Sequence, residues 1–182
     1  LVRVVSVEEE MMKDRFEAGM TFGEFLESAT SNQDLWMQIY ERARVPADLL
    51  DAARSLPGWW RLLVLTEDWC GDGVNSLPFL ARLTEAVPQM DLRVLRRDEH
   101  PDLMDAHLSG GSRSIPVVMI LNQEFREVSW WGPRPAPLQE LFLRELKVLA
   151  KEERGKRLRA WYARDKGRTV LREVMARIPG GQ

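Results

Sequence analysis

The spacing of apolar residues changes along the chain, and each change marks an element. Over residues 7–56 apolar side chains recur every three or four positions, as in Leu35, Met37, Ile39 and Tyr40, without an alternating stretch. That period predicts helices. Thr21 followed by Glu24 makes a capping box that opens a helix over 22–28. Ser31 or Asn32 can cap a second helix over 33–44, and Pro46 starts a third that ends near Leu56. Pro57-Gly58 stops it.

Residues 59–66 are a near-continuous apolar run, short enough for a strand buried on both faces. Val74, Leu77, Leu80 and Leu83 then form a helical stripe over 74–86 that tolerates Pro78 only as a kink. A strand over 91–97 follows Pro88. The β-helix-β order implies a parallel pair joined by a right-handed crossover. Asp98 or Glu99 ahead of Pro101 suits a helix start, and Gly110-Gly111 ends that helix. Residues 117–121 and 125–130 read as an antiparallel hairpin joined by Asn122-Gln123-Glu124. Pro133, Pro135 and Pro137 mark a stiff turn before a helical region over 138–163, followed by a break and a further helix over 169–178.

The chain has 182 residues, 45% of them hydrophobic and 30% charged, which is the make-up of a folded protein and long enough for a full core. A formal net charge of -2 gives no overall drive toward nucleic acid or an anionic membrane. Residues 144–177 carry twelve Lys/Arg against five Asp/Glu. That stretch reads first as a solvated helix surface, and second as a basic face for RNA, lipid or an acidic partner. No apolar run approaches the roughly 18 to 20 residues of a membrane helix, and residues 1–7 are too short for a signal-peptide core. One cysteine leaves no intramolecular disulfide, so a reducing, cytoplasmic setting is expected. His100 and His107 stand seven apart on one predicted helix without a third ligand, so no metal site is expected. Trp130-Trp131 suits core packing or cover for an edge better than a recognition groove.

The chemistry concentrates at Cys70, between the strand over 59–66 and the helix over 74–86. A cysteine at a helix start sees unpaired N–H groups and the positive end of the helix dipole, and both favour the thiolate. Glu67, Asp68 and Asp72 oppose a second negative charge. An accessible thiol with a modestly lowered pKa is expected, against the alternative of an inert buried cysteine.

Trp69-Cys70-Gly71-Asp72-Gly73 resembles the Trp-Cys-x-x-Cys corner of thioredoxins, and residues 110–117, GGSRSIPV, resemble their Gly-x-x-x-Ile-Pro-Thr loop. The two motifs stand 46 residues apart, about the usual spacing of that family. The resemblance covers roughly residues 59–145 and is closest to a bacterial branch with a helical N-terminal extension. It implies an α/β, thioredoxin-like fold: a central mixed sheet flanked by helices, with an N-terminal extension over 1–57 packed on the core. The thioredoxin-like domain would occupy 58–182 and end in a helical tail. It also implies a cis Pro116 facing the thiol, with the Ile115 backbone pairing with an extended partner. The residues themselves also allow a trans proline that opens a strand.

Departures from the family narrow the function. Gly73 stands where the second cysteine would be, so the dithiol cycle is excluded. Val64 occupies the position, six residues before the thiol, where thioredoxins carry a buried acid. What remains is a monothiol exchange by Cys70 with a protein cysteine or a low-molecular-weight thiol. In that reading Trp69 shields the sulfur, Gly71, Asp72 and Gly73 form the helix start, and Ile115 and Pro116 hold the partner; no cofactor is implied. The alternative is a redox-inactive thioredoxin-fold module that binds a partner in the groove around Pro116.

Overall fold

The computed structural model describes residues 6–181. Residues 1–5, which open both the short apolar start and the expected N-terminal extension, lie outside the described residues. Four helices come first: α1 (Val7–Ala18), α2 (Phe22–Ser28), α3 (Gln33–Arg42) and α4 (Ala47–Arg54). The Thr21–Glu24 capping box closes in both directions, and α2 has the predicted bounds. A second box, Ser6 with Glu9, starts α1, which the apolar spacing alone did not separate. Asn32 at the head of α3 adopts a left-handed conformation and makes no side-chain cap, unlike the expected cap there.

Four strands form one mixed sheet: β1 (Trp60–Thr66), β2 (Met90–Arg96), β3 (Val117–Leu121) and β4 (Glu127–Trp131), in the order β2-β1-β3-β4. β1 and β2 are parallel, joined through α5 (Gly71–Ala86), whereas β1–β3 and β3–β4 are antiparallel. β4 starts two residues later than the spacing predicts. The Asn122 side chain accepts the N–H groups of Glu124 and Arg126, holding Phe125 in a left-handed turn instead of a strand. Beyond the edge of β2, Met20 and Val94 exchange two backbone hydrogen bonds of 2.9 and 2.8 Å.

The alternation along β1 divides the interior in two. Leu62 and Val64 face a core shared with Phe25 and Trp36 of the N-terminal helices, Leu77 of α5, and α9 (Arg168–Ala176). Leu63 and Leu65 face a second core with Phe16 of α1, α6 (Pro101–Asp105), β3 and Cys70. The C-terminal region breaks before α9 as expected, but the stretch read as one helical region is itself divided into α7 (Ala136–Arg144), a short 3-10 turn and α8 (Lys151–Asp165). Leu138, Leu146 and Tyr162 centre a small third cluster there.

Candidate functional site

β1 delivers the chain to residues 67–70, where backbone and side chains are tied down before α5 begins. The Trp36 indole N–H, from α3, donates to the Asp68 carbonyl at 2.8 Å. The Asp68 carboxylate accepts the backbone N–H of Thr30 at 2.8 Å and of Ser31 at 3.3 Å, with Arg96 at 3.6 Å. Burial pushes its pKa up, but these N–H groups and the guanidinium outweigh that and hold it below the usual carboxylate range. Glu67 accepts the Asp98 N–H at 3.1 Å and meets Arg96 at 3.5 Å. Of the three carboxylates expected to oppose a thiolate, only Asp72 acts on the sulfur.

Cys70 is the N-cap of α5, so the helix starts at Gly71, three residues before the apolar stripe. Its Sγ accepts the Gly73 N–H at 3.2 Å, and its S–H donates to the Ile115 carbonyl at 3.4 Å. The Ile115–Pro116 peptide is cis. The predicted motifs therefore meet, with Trp69, Gly71, Asp72 and Gly73 continuous with the thiol and Ile115 in contact across it.

The thiol is buried, with 5% of its surface exposed, and this corrects the accessible cysteine expected from the sequence. Met12 and Phe16 of α1, together with Leu103 and Met104, belong to the core that encloses it. Burial and then the Asp72 carboxylate push the Cys70 pKa up to about 11, against the N–H groups of Gly73 and Asp72 and the Thr66 hydroxyl. The expected lowering is thus reversed, because desolvation of a thiolate exceeds what the helix start returns.

Ile115 and Pro116 are also buried, as is Gly73, while Trp69 and Gly71 are exposed. Trp69 keeps half its surface open, with the Arg97 guanidinium 5.0 Å from its ring centre. Gly132, at φ +138, passes Pro116 so closely that a Cβ there would lie 2.0 Å from the Pro116 carbonyl oxygen. Only glycine fits that approach.

Two partners of the site carry no sequence signal. Asp72 Oδ1 accepts Arg134 Nε at 3.0 Å and the Tyr162 hydroxyl at 2.8 Å, and Arg134 also reaches Oδ2 at 2.8 Å. Arg134 lies among the prolines of the predicted turn and Tyr162 inside the basic stretch, 62 and 90 residues from Asp72. Burial raises the Asp72 pKa even against these two donors, and pushes the Tyr162 hydroxyl up. The histidines lie apart: His100 faces Arg15 at 3.4 Å, while His107 contacts the Leu103 carbonyl and, at 2.9 Å, Glu127. Trp131 is buried, with its indole N–H donating to Glu173 at 2.7 Å.

Two solved structures resemble this architecture nearly end to end. A protein of unknown function, PA1234, from Pseudomonas aeruginosa superposes with a TM-score of 0.73 at 22% identity, over 93% of this chain and 98% of that one. An HIV epitope-scaffold superposes with a TM-score of 0.71 at 20% identity, over the same shares. At such identity the likeness concerns the fold. No curated protein matches the chain in sequence. The thioredoxin family model Thioredoxin_9 matches residues 19–165, a span that takes in α2 to α4, the Cys70 corner, the Pro116 loop and Tyr162. With its sheet order, its cysteine-capped helix and the Ile-Pro loop across from it all inside that match, the chain belongs to the thioredoxin family.

Proposed function

We propose that this protein is a thioredoxin-fold binding module that holds a protein partner without exchanging disulfides, and that Cys70 is a structural thiol. The observation that carries this reading is the burial of Cys70 with its S–H donated to the Ile115 carbonyl. At a pKa of about 11, on the order of one thiol in 10,000 is ionised at neutral pH, against a few per cent for a free cysteine. Gly73 supplies no second thiol, and Val64 no acid to move a proton. The Ile115 carbonyl is already engaged, so an extended peptide has less main chain to pair with around Pro116. Partner contact falls instead to the open rim of that groove, Trp69 and Gly71. Trp69 is half exposed beneath the Arg97 guanidinium, and tryptophan and arginine are both residue types enriched at interface hot spots. A reducing, cytoplasmic setting suits a lone thiol of this kind.

Intact-mass measurement on native protein after exposure to peroxide and glutathione disulfide near neutral pH tests the reading. The expected result is an unmodified Cys70, becoming fully reactive only in denaturant. A stoichiometric glutathione adduct on the folded protein would overturn it. In that case the Cys70 thiolate has attacked the disulfide, forming one S–S bond and releasing the second glutathione as its thiolate, and the monothiol exchange reading takes its place.

A further inference from the structure

Away from the Cys70 corner, α3, α5 and α8 leave between them an open groove of about 1000 Å³. Phe79 of α5, the helix that packs against both of the others, lies at its floor, and Leu35 and Ile39, one helical turn apart on α3, line it with Val45; Leu35 is 38% exposed. One wall carries Arg42 and Arg44. The opposite wall carries Arg159, Arg164 and Lys166. Asp165 is the one acid in the lining, and it is engaged by the backbone N–H and hydroxyl of Thr169. Arg44 gives its guanidinium to the Glu41 and Ala43 carbonyls, and Arg168, also in the lining, pairs with Asp48 at 2.7 Å. Among the described residues, Arg42, Arg159, Arg164 and Lys166 form no ion pair.

The basic stretch over 144–177 is therefore not uniformly a solvated surface. Arg144 and Arg157 pair with Glu145, whereas the cations of α8 that face the groove are left without an acid. Arg159 and Arg164 are five residues apart on α8, about 8 Å along the helix at 1.5 Å per residue, Lys166 caps its end in a left-handed conformation, and Arg42 and Arg44 stand across from them. A single-headgroup amphiphile would neutralise one end and leave the other cations unmatched. A helix with an apolar stripe and carboxylates on both flanks meets the floor and both walls together.

We infer that this groove docks an acidic amphipathic helix of a protein partner, its apolar stripe on Leu35, Ile39 and Phe79 and its carboxylates between the two cationic walls. The site is independent of what Cys70 does. It nevertheless borders that corner, because Tyr162 and Asn75 line the groove while holding Asp72 and the Gly71 carbonyl.

The test uses the full chain and a fluorescein-labelled peptide of about 16 residues, roughly four turns, with leucines on one face and glutamates on both flanks. Fluorescence anisotropy should show saturable binding that weakens as salt rises. A scrambled peptide of the same composition should bind about tenfold more weakly or worse, which is about 1.4 kcal/mol. Two variants at exposed positions should each weaken binding by about tenfold or more: Arg159→Glu with Arg164→Glu, which reverses one wall, and Ala163→Trp, which fills the groove by bulk. Unchanged thermal unfolding would confirm that both variants are folded. The inference is overturned by an absence of saturation up to millimolar peptide, by equal binding of the scrambled peptide, or by indifference to both variants. It is equally overturned if oleate saturates the groove while the peptide does not. Self-association of the unliganded protein that Arg159→Glu/Arg164→Glu abolishes would assign the groove to a second copy and overturn it too.

Discussion

A Cβ on Gly73 would stand 2.8 Å from the Thr66 hydroxyl oxygen, closer than folded proteins tolerate. Thr66 is fully buried at the end of β1, and its β-branched side chain has few other rotamers. Trp36 adds a second obstacle at 3.3 Å. The place of the missing second cysteine is thus occupied by its neighbours. Gly73→Cys should destabilise the protein by about 1–3 kcal/mol in urea unfolding, and Thr66→Ala in the same chain should recover part of the loss. A Gly73→Cys protein as stable as its parent would show that the space is open.

Arg134 and Tyr162 together satisfy a carboxylate that is nearly out of solvent, with 12% of the Asp72 side chain exposed. Removing the cation leaves a buried charge alone, whereas removing the hydroxyl leaves the bidentate pair intact. Arg134→Met should therefore cost about 3–5 kcal/mol and Tyr162→Phe only about 1 kcal/mol, read from urea midpoints. The reverse order would mean that the hydroxyl, not the guanidinium, keeps Asp72 in place.

The raised pKa of Cys70 makes stability depend on alkaline pH. The folded thiol keeps its proton up to about 11, while an unfolded cysteine loses it near 8.5. Between those values the folded state binds more protons, so stability falls as pH rises. The contribution is complete below the lower value and is lost through the upper one. Relative to Cys70→Ala, which lacks the group, the parent should lose about 2–3 kcal/mol across that window. Parallel stability curves for the two proteins would refute the buried, protonated thiol.

His107 works in the opposite part of the pH scale. Burial pulls its pKa down, but the Glu127 carboxylate and the Leu103 carbonyl together raise it above the usual histidine value. As an imidazolium it donates to both acceptors. A raised folded pKa stabilises below the unfolded value, and that gain disappears as pH rises through the folded one. The melting temperature advantage of the parent over His107→Gln should shrink on going from about pH 6 to about pH 8. A constant advantage would assign His107 a packing role alone.

Local features were readable wherever neighbours in sequence decide the structure. The Thr21–Glu24 box sets α2, and the apolar run Val117–Leu121 is β3 residue for residue. The motifs at Cys70 and Pro116 placed the corner only through their resemblance to the paired motifs of thioredoxins, since nothing in the spacing of either segment alone brings residues 45 apart together. The burial of that corner was not readable. It depends on α1, whose start at Ser6 carries a capping box but whose sides are largely charged, so its inner residues Met12 and Phe16 do not stand out. Nor could spacing reveal that Arg134 and Tyr162 converge on Asp72, since each sits in a segment with its own sufficient explanation, a proline turn and a basic helix. The N-terminal helices were legible as helices, but their hold on the site, through Trp36 on the Asp68 carbonyl, is a contact across 32 residues.

The paired hydrogen bonds between Met20 and Val94 have an effect on solubility. β2 is an outer strand, and an outer strand with free amides and carbonyls is a template on which other chains can assemble. Met20 takes up both groups of Val94 midway along the strand, interrupting that template where a docking strand would need continuity. The short link between α1 and α2 therefore serves as a guard against amyloid-like stacking on that side of the molecule.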